Sequence, residues 1–183
     1  EHYHRTMAAE LKEEIMTVAR ARGNDDSTVM MTEATLERTG IFRGDVVKLQ
    51  SKDKLIFAIA IEANVLCKNH ETKENEIRLS LSSRKNLEVR PGDTINVIQP
   101  IQVEFGKCIV LRPTSTCSRI IQRCNLNATL QSYFGEAYRP VRPSQTFVVR
   151  QRFKLPVQFE VLSCYPKEGC IVAPDTIIWC AHT

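Results

Sequence analysis

The chain has 183 residues, enough for one medium-sized domain or two small ones. Its 43% hydrophobic and 25% charged residues are ordinary for a folded protein, and the lysines and arginines behind the net charge of +4 are spread along the sequence. The dense basic stripe typical of nucleic-acid binding is missing, and no apolar run approaches the roughly 18 residues that a membrane span requires. The composition therefore argues against nucleic-acid binding and against direct membrane insertion.

The seven cysteines are odd in number and contain no Cys-x-x-Cys pair. Most of them stand in apolar runs, where a free cysteine behaves as a small buried hydrophobe. We therefore expect free thiols and a reducing, cytoplasmic setting. The four histidines lie near the termini or in one polar loop, so the sequence predicts no metal site.

Residues 1–22 differ from the rest because their apolar residues recur at helical spacing. Met7, Leu11, Ile15 and Val18 stand among charged residues, and Gly23 follows as a helix stop. We predict an N-terminal extension here, helical or disordered, outside the folded domains.

Short β runs separated by turn residues begin at Ser27. Helical breaks are predicted around residues 82–87 and 125–134, and the polar stretch from Pro113 is predicted to link two β units. We predict a mostly β protein of two small barrels or sandwiches. The predicted bounds are 23–112 for the first unit, 113–119 for the linker and 120–183 for the second unit.

A turn-and-strand unit is repeated, because residues 41–47 ("IFRGDVV") align with residues 89–95 ("VRPGDTI"). Glycine accepts the positive φ of a tight turn, and the following aspartate can accept backbone N–H groups. The repeat predicts a closed barrel of two interleaved halves. A fainter third copy, residues 141–147, has Ser144-Gln145 in place of Gly-Asp. The turn role, with a reducing compartment, argues against an adhesion role for the Arg-Gly-Asp tripeptide.

The motifs of several enzyme classes are missing. The phosphate-binding loop G-x-x-x-x-G-K-[ST] fails at Gly106-Lys107, because Ile101 replaces the first glycine and Cys108 replaces the hydroxyl. G-x-S-x-G and H-E-x-x-H are absent, and no local signature supports a cysteine nucleophile with a histidine base. We expect no catalytic residue and no bound cofactor in this chain.

Five segments, "FRGDVV", "NLEVRPGDTINVIQP", "VEFGKCIVLRP", "SYFGEAYRPVRP" and "GCIVAPDTIIWC", together resemble the N-terminal domain of the valosin-containing-protein family of AAA ATPases. The resemblance runs in order from about Ser27 to Cys180. It implies a double-psi β-barrel followed by a smaller four-stranded β-barrel. It also implies an adaptor-docking module of a hexameric ATPase that extracts ubiquitylated proteins. ATP, Mg²⁺ and the hexamer contacts would belong to ATPase domains outside this sequence.

The resemblance further implies a partner site in the cleft between the barrels. Its partners would be UBX-domain proteins, adaptors with short Arg-rich motifs, and the ubiquitin-fusion-degradation adaptor complex, in the cytoplasm, the nucleus and at the endoplasmic-reticulum surface. The implied cleft residues are Asp25, Phe42, Arg43, Gly44, Asp45, Ile59, Ile61, Val103, Phe105, Ala137 and Tyr138. Arg90 and Arg150 match residues that face the ATPase ring.

Two alternatives stay open on the sequence. The first is the N domain of a related AAA family, of the membrane-fusion or peroxisomal type, which the segment Glu-Ala-Tyr-Arg-Pro disfavours. The second is a free-standing double-psi-barrel enzyme, which would need a polar catalytic cluster. Phe105 stands where the family often has tyrosine, and Gly135 where it has a larger apolar residue. These departures affect the expected partner selectivity rather than the fold.

Overall fold

The computed structural model describes residues 12–21, 25–63, 73–99, 101–114, 125–150 and 155–181. Its first unit contains strands β1 (Lys12–Arg20), β2 (Thr28–Met31), β3 (Val46–Ser51), β4 (Lys54–Glu62), β5 (Glu76–Leu79) and β6 (Thr94–Gln99). Helices α1 (Glu33–Thr39) and α2 (Leu81–Leu87) follow β2 and β5. The strands close into a barrel in the order β1-β5-β2-β4-β3-β6, around a core of aliphatic side chains.

The barrel consists of two interleaved halves, as the repeat predicted. The series β1-β2-α1-β3 is followed by β4-β5-α2-β6 with the same connections. Strand β1 pairs with β5 in parallel and with β6 antiparallel, while β4 pairs in the same two ways with β2 and β3. Each half therefore completes its sheet with strands of the other half.

The predicted N-terminal extension is wrong for the residues that the structure describes there. Lys12–Arg20 form strand β1, which is paired with β6 and then with β5. Met16 and Val18, two positions apart, are buried in the barrel core, whereas Ile15 is 67% exposed. Ile15 and Val18 match helical spacing, but the observed alternation is that of a strand. Residues 1–11 and 22 lie outside the described residues.

The first Gly-Asp turn joins α1 to β3. Gly44 has a φ of 98°, and its N–H donates to the carbonyl oxygen of Ala60 on β4 at 2.8 Å. Oδ2 of Asp45 accepts the N–H of Phe42 at 2.8 Å. Glycine and aspartate therefore have the backbone roles that the sequence predicted.

The second turn, between α2 and β6, repeats these contacts. Gly92 also has a φ of 98°, and its N–H donates to the carbonyl oxygen of Val18 at 2.8 Å. Oδ2 of Asp93 accepts the N–H of Arg90 at 2.7 Å. Val18 belongs to β1, as Ala60 belongs to β4, so the second turn depends on the strand that sequence reasoning left outside the domain.

The fainter third copy is a turn of the same kind. Ser144 has a φ of 68°, and its N–H donates to the carbonyl oxygen of Val161 at 2.8 Å. The N–H of Val161 donates in return to the carbonyl oxygen of Gln145 at 2.9 Å. The backbone hydrogen bonds of the turn therefore form even though Ser144-Gln145 replaces the Gly-Asp pair.

The second unit combines a four-stranded sheet with a two-stranded ribbon. Its elements are β7 (Cys108–Pro113), α3 (Leu126–Gly135), β8 (Arg139–Val141), β9 (Thr146–Val149), β10 (Val157–Tyr165), β11 (Cys170–Val172) and β12 (Ile177–Cys180). The sheet order is β12-β7-β10-β9, and β8 pairs with β11. In its core, Phe147 stacks on Phe159 and meets the ring of Phe134 edge to face. A mostly β chain with a closed barrel followed by a smaller β unit is therefore confirmed.

The predicted bounds of the two units need correction. Strand β7 pairs with β10 and β12, so the chain passes from the first unit to the second between Gln99 and Cys108 rather than after residue 112. Pro113 is the last residue of β7 and not part of a linker, and residues 115–119 lie outside the described residues. Both helical breaks are confirmed as α2 and α3.

Helix α1 was not predicted from the sequence, although the residues that cap its two ends are of the types expected there. Thr32 accepts the N–H of Thr35 with its side-chain oxygen, and Gly40 ends the helix with a φ of 72°. The helix has only seven residues, which is too short for a clear apolar periodicity.

A buried arginine joins the two units. Nη1 of Arg139, in β8, donates to Oδ1 of Asp25 at 2.6 Å and to Oγ of Ser27 at 2.7 Å. Nε of Arg139 donates to the carbonyl oxygen of Tyr133 at 2.9 Å, and the guanidinium lies 4.0 Å from the Tyr133 ring centroid. The Arg139 side chain is 7% exposed, so this contact is protected from solvent. We call Arg139, Asp25 and Ser27 the arginine clamp.

Further contacts hold the units in a fixed relation. Asn86 of α2 exchanges hydrogen bonds with the backbone of Thr146, donating at 2.7 Å and accepting at 2.9 Å. The buried carboxylate of Asp26 accepts the N–H of Val148 at 2.8 Å. These bonds resist sliding of one unit over the other, because each satisfies polar groups that would otherwise be buried without partners.

The turn glycines give a first prediction. Nothing lies within 4 Å of a Cβ built at Gly44 or Gly92, so alanine meets no steric clash there. It must still adopt a left-handed φ, and we expect Gly44→Ala and Gly92→Ala each to lower the free energy of unfolding by about 1–2 kcal/mol in urea titrations. Gly135→Ala is the matched control, since that site has equal space and no positive φ. An equal loss in the control would contradict the backbone explanation.

The arginine clamp gives a second prediction, on pH. Burial raises the pKa of Asp25, but hydrogen bonds from Arg139 and Ser27 outweigh it and lower the pKa below its ordinary value of 3.8. The stabilisation is therefore present above that ordinary value and is lost as the pH falls through the folded-state pKa. We expect Asp25→Asn to lose about 1–2 kcal/mol at neutral pH, toward the lower end because Asp25 is partly exposed.

The test is urea unfolding of wild type and variant at neutral pH and near pH 3, where the difference between the two proteins should shrink. Asp53→Asn, at a largely exposed carboxylate beside Lys54, should leave the stability unchanged at both values. A difference in stability that does not depend on pH would contradict the role assigned to the Asp25 charge.

Candidate functional site

Three aromatic side chains stand exposed at positions that the resemblance assigned to the cleft. Phe42 is 74% exposed, Phe105 61% and Tyr138 58%. Phe42 and Tyr138 are therefore not part of a hydrophobic core, which would be the usual place for such side chains. Exposed aromatic side chains that lie close together are typical of a surface that binds another molecule.

Phe105 and Tyr138 form a pair on the second unit. Their ring centroids are 5.8 Å apart and the ring planes are tilted by 50°. Phe105 is held by its neighbours, because Gly106 donates its N–H to the carbonyl oxygen of Ile171 on β11 at 2.8 Å. Tyr138 directly precedes β8, the partner strand of β11. Strand β11 therefore positions both rings.

Strand β8 lies along β4 of the barrel, which brings Tyr138 toward the first unit. At one end, Nη1 of Arg142 donates to the carbonyl oxygen of Leu55 at 2.8 Å. At the other end, Arg139 contacts Ser27, whose carbonyl oxygen accepts the N–H of Ile59 at 2.8 Å. These contacts hold β8 against β4, and Tyr138 directly precedes the end of β8 that carries Arg139.

The outer face of β4 supplies apolar side chains between the two units. Alternate residues of β4 are buried inside the barrel, so Phe57, Ile59 and Ile61 share the opposite face and are half-buried. Phe57 packs against Gly169 of the second unit, where an added Cβ would lie 2.3 Å from the ring. Ile59 and Ile61 continue along the same face beyond this contact.

The turn that carries Phe42 and Asp45 borders the same part of β4. Gly44 is bonded to Ala60, which stands between the two isoleucines, and Val46 is paired with Ile59. The turn uses only Oδ2 of Asp45, and Arg43 and Gly44 are exposed. Phe42, Arg43, Gly44 and Asp45 therefore form one wall, with Ile59 and Ile61 beside it.

The remaining implied cleft residues lie next to the aromatic pair in sequence. Val103 stands two positions before Phe105, and Ala137 directly precedes Tyr138; both are half-buried. Both are therefore close to the aromatic pair along the chain. We call the whole arrangement, from the Phe42 turn across Ile59 and Ile61 to Phe105 and Tyr138, the inter-barrel cleft.

The carboxylate of Asp25, one of the implied cleft residues, is not free to bind the cation of a partner. Both of its oxygens contact Nη1 of Arg139, and Oδ1 also accepts the N–H of Ser27. Its charge is already paired within the chain, so Asp45 is the better candidate for a partner's cation. Sequence reasoning missed Arg139, although it is part of the quoted segment "EAYRP".

Arg90 and Arg150 take part in two other contacts of the fold. Arg90 belongs to the second Gly-Asp turn, which is bonded to β1 rather than to β4. Nη1 of Arg150 lies 3.7 Å from Oδ2 of Asp26, and its side chain is 38% exposed. The guanidinium of Arg150 therefore takes part in the contact between the two units, through Asp26.

The chemistry of the described residues offers no metal centre. In the ranges that the structure describes, no three His, Cys, Asp or Glu side chains converge as metal ligands. The cysteines at 108, 164, 170 and 180 are free thiols, while the other three cysteines lie outside the described residues. None of the described helices is long and apolar enough to cross a membrane.

Comparison with protein families identifies the barrel. Residues 15–102 match the family model described as Cell division protein 48 (CDC48), N-terminal domain. The match begins within β1 and includes β2 to β6 and both Gly-Asp turns. It therefore includes the strand that had been assigned to an extension, and it agrees with the resemblance drawn from the quoted segments. Over residues 15–102, this chain is therefore similar to the N-terminal domain of Cell division protein 48.

Proposed function

We propose that this chain is an adaptor-binding N-terminal domain that docks UBX-type domains and short Arg-rich motifs in the inter-barrel cleft. The observation that carries the proposal is the exposure of Phe42, Phe105 and Tyr138 beside β4, in a chain whose barrel matches the model of this family. The family domain is not catalytic, which disfavours the free-standing enzyme.

The aromatic side chains would supply the affinity. Phe105 and Tyr138 present their rings 5.8 Å apart, and Ile59 and Ile61 are half-buried nearby. An aromatic or proline ring of a partner that enters this slot removes apolar surface from water on both molecules. The slot is preformed, because backbone hydrogen bonds hold Phe105 and Asp45 in place.

Asp45 would supply the specificity for arginine. Its Oδ2 is held by the N–H of Phe42, which leaves Oδ1 for a partner's guanidinium. A charge-assisted hydrogen bond of this kind contributes about 1.5–3 kcal/mol. A partner with an arginine beside an apolar ring would therefore match both parts of the cleft.

The parent protein of this domain would be a hexameric AAA ATPase that extracts or unfolds ubiquitylated proteins, with ATP and Mg²⁺ bound in its ATPase domains. The ubiquitin-fusion-degradation adaptor complex is a further proposed partner. The proposed setting is the cytoplasm, the nucleus and the endoplasmic-reticulum surface. Arg90 and Arg150 would face the ATPase ring, and a ring contact of Arg150 would compete with Asp26.

The cleft gives a third prediction, with a recombinant UBX domain as the probe. Asp45→Asn retains an oxygen for the Phe42 N–H but removes the charge, so we expect binding about tenfold to hundredfold weaker, as loss of a charge-assisted bond implies. Tyr138→Ala should weaken binding to a similar degree, because aromatic anchors are frequent binding hot spots. Isothermal titration calorimetry gives the dissociation constants.

The pseudo-twofold barrel provides a matched control. Asp93→Asn changes the same hydrogen bond in the equivalent turn, away from the cleft, and should leave binding unchanged. Tyr165→Ala removes another exposed aromatic ring, 50% accessible, and should be equally neutral. If Asp45→Asn and Tyr138→Ala bind as well as these controls, the site assignment is wrong.

A further inference from the structure

One aromatic side chain on the outer face of β4 fills a space at the surface of the second unit. Gly169, between β10 and β11, has a φ of 144°. A Cβ built there would lie 2.3 and 2.8 Å from two ring carbons of Phe57, and 3.0 Å from the carbonyl oxygen of Val141 on β8. The Phe57 ring therefore occupies the place where any larger residue at position 169 would have its side chain.

Hydrogen bonds fix where along β4 this contact lies. Strand β2 pairs with β4 from Ile59 onward. Before that point the second unit bonds to the strand, because Nη1 of Arg142 donates to the carbonyl oxygen of Leu55 at 2.8 Å. Nε2 of Gln145 donates to the carbonyl oxygen of Phe57 at 3.4 Å. The second unit therefore contacts the backbone of β4 up to Phe57.

Phe57 also adjoins the part of β4 that belongs to the inter-barrel cleft. Phe57, Ile59 and Ile61 alternate with buried residues and share one face of the strand. Two positions along a strand span about 7 Å, so the Phe57 ring is the neighbour of the Ile59 side chain. The backbone of Asp45 is bonded to Ala60, whose N–H donates to the Asp45 carbonyl oxygen at 2.8 Å. Asp45 therefore lies at the level of the two isoleucines.

We propose that Phe57 is a specificity-determining residue of the inter-barrel cleft. Its ring, held against Gly169, closes the cleft at one end of the Ile59–Ile61 surface and limits the size of the apolar side chain that a partner can place there. This inference rests on the proposed function, because it concerns which partners the same cleft accepts.

The Phe57 ring has little room to give way. On the side of the second unit it meets the backbone of Gly169, and the carbonyl oxygen of Val141 lies just behind. A side chain that is pressed against backbone cannot retreat without an unfavourable rotamer or a shift of the main chain. A partner side chain that is too long for the Ile59–Ile61 surface would therefore meet a fixed obstacle.

The consequence is a preference among partners that carry an arginine. An arginine bound at Asp45 places the neighbouring residue of the partner over the Ile59–Ile61 surface. A compact side chain such as leucine or proline fits on this surface, whereas the indole of tryptophan extends onto Phe57. Apolar pockets discriminate by about 10–200-fold for a single added or missing methylene, so the size limit should be measurable.

The contact between Phe57 and Gly169 gives a fourth prediction, on stability. Gly169→Ala should lower the urea midpoint clearly, because its Cβ collides with the ring. In the double variant with Phe57→Val the collision is removed, and the midpoint should rise again in part, since alanine at 169 still adopts an unfavourable φ. Gly135→Ala is the control for a glycine with free space. A double variant that is no more stable than Gly169→Ala would overturn the contact.

The cleft gives a fifth prediction, on selectivity. Two synthetic peptides share one sequence with a single arginine and differ in the next residue, which is leucine or tryptophan. The full chain should bind the leucine peptide about tenfold or more tightly than the tryptophan peptide, as measured by isothermal titration calorimetry. In Phe57→Val the end of the surface is open, and the ratio of the two dissociation constants should fall several-fold.

This ratio separates selectivity from a structural role. If Phe57 only held the two units together, Phe57→Val would weaken both peptides in parallel and leave the ratio unchanged. Tyr165→Ala, which removes another half-exposed ring on β10, is the matched control and should keep the wild-type ratio. A ratio near one in the wild type, or an unchanged ratio in Phe57→Val, would overturn the proposal.

A recombinant UBX domain, titrated into the same proteins, distinguishes this failure from failure of the proposed function. Binding of the UBX domain together with an unchanged peptide ratio, or with no peptide binding, would overturn the role of Phe57 and leave the proposed function standing. If neither the UBX domain nor a peptide binds the wild type, the proposed function fails and the selectivity inference fails with it. The stability measurements still decide the contact between Phe57 and Gly169.

Discussion

The geometry of the inter-barrel cleft depends on one buried cation. Arg139 is 7% exposed at its side chain, and its guanidinium is satisfied by Asp25 and Ser27 of the barrel and by the Tyr133 carbonyl of its own unit. An unpaired guanidinium would be costly at such a site, so the two units are favoured only in the arrangement that completes these bonds. Tyr138, the residue before Arg139, is thereby held next to the contact between the two units.

The wall that carries Phe42 is a Gly-Asp turn, and the barrel contains this turn twice. In each half, a helix ends, a Gly-Asp turn follows, and the glycine N–H bonds to a strand of the other half. The same turn therefore occurs twice, and of the two copies the one at Asp45 is bonded to β4, the strand along which β8 lies. The function proposed for Phe42 and Asp45 arises from where the second unit docks and not from any special chemistry of the turn itself.

Much of the fold was predictable because its signals are local. The Gly-Asp turns, helices α2 and α3 and most strands follow from residues within a few positions of one another. Strand β1 was missed because Ile15 and Val18 fit helical spacing while Met16 and Val18 fit strand spacing. Its pairing partners, β5 and β6, lie 59 to 87 positions away in the chain, from Thr17↔Glu76 to Lys12↔Gln99. The boundary near Cys108 was misplaced for the same reason, since β7 reads as another strand and only its pairing with β10 assigns it to the second unit.

The sequence by itself determined the fold class and the turn roles of Gly44 and Asp45. Tertiary structure decided which charges are available at the cleft. Asp25 reads as a free carboxylate, but its partner Arg139 is 114 positions away in the chain. Spacing along a chain reports local geometry, whereas the pairing of charges depends on how distant strands pack together.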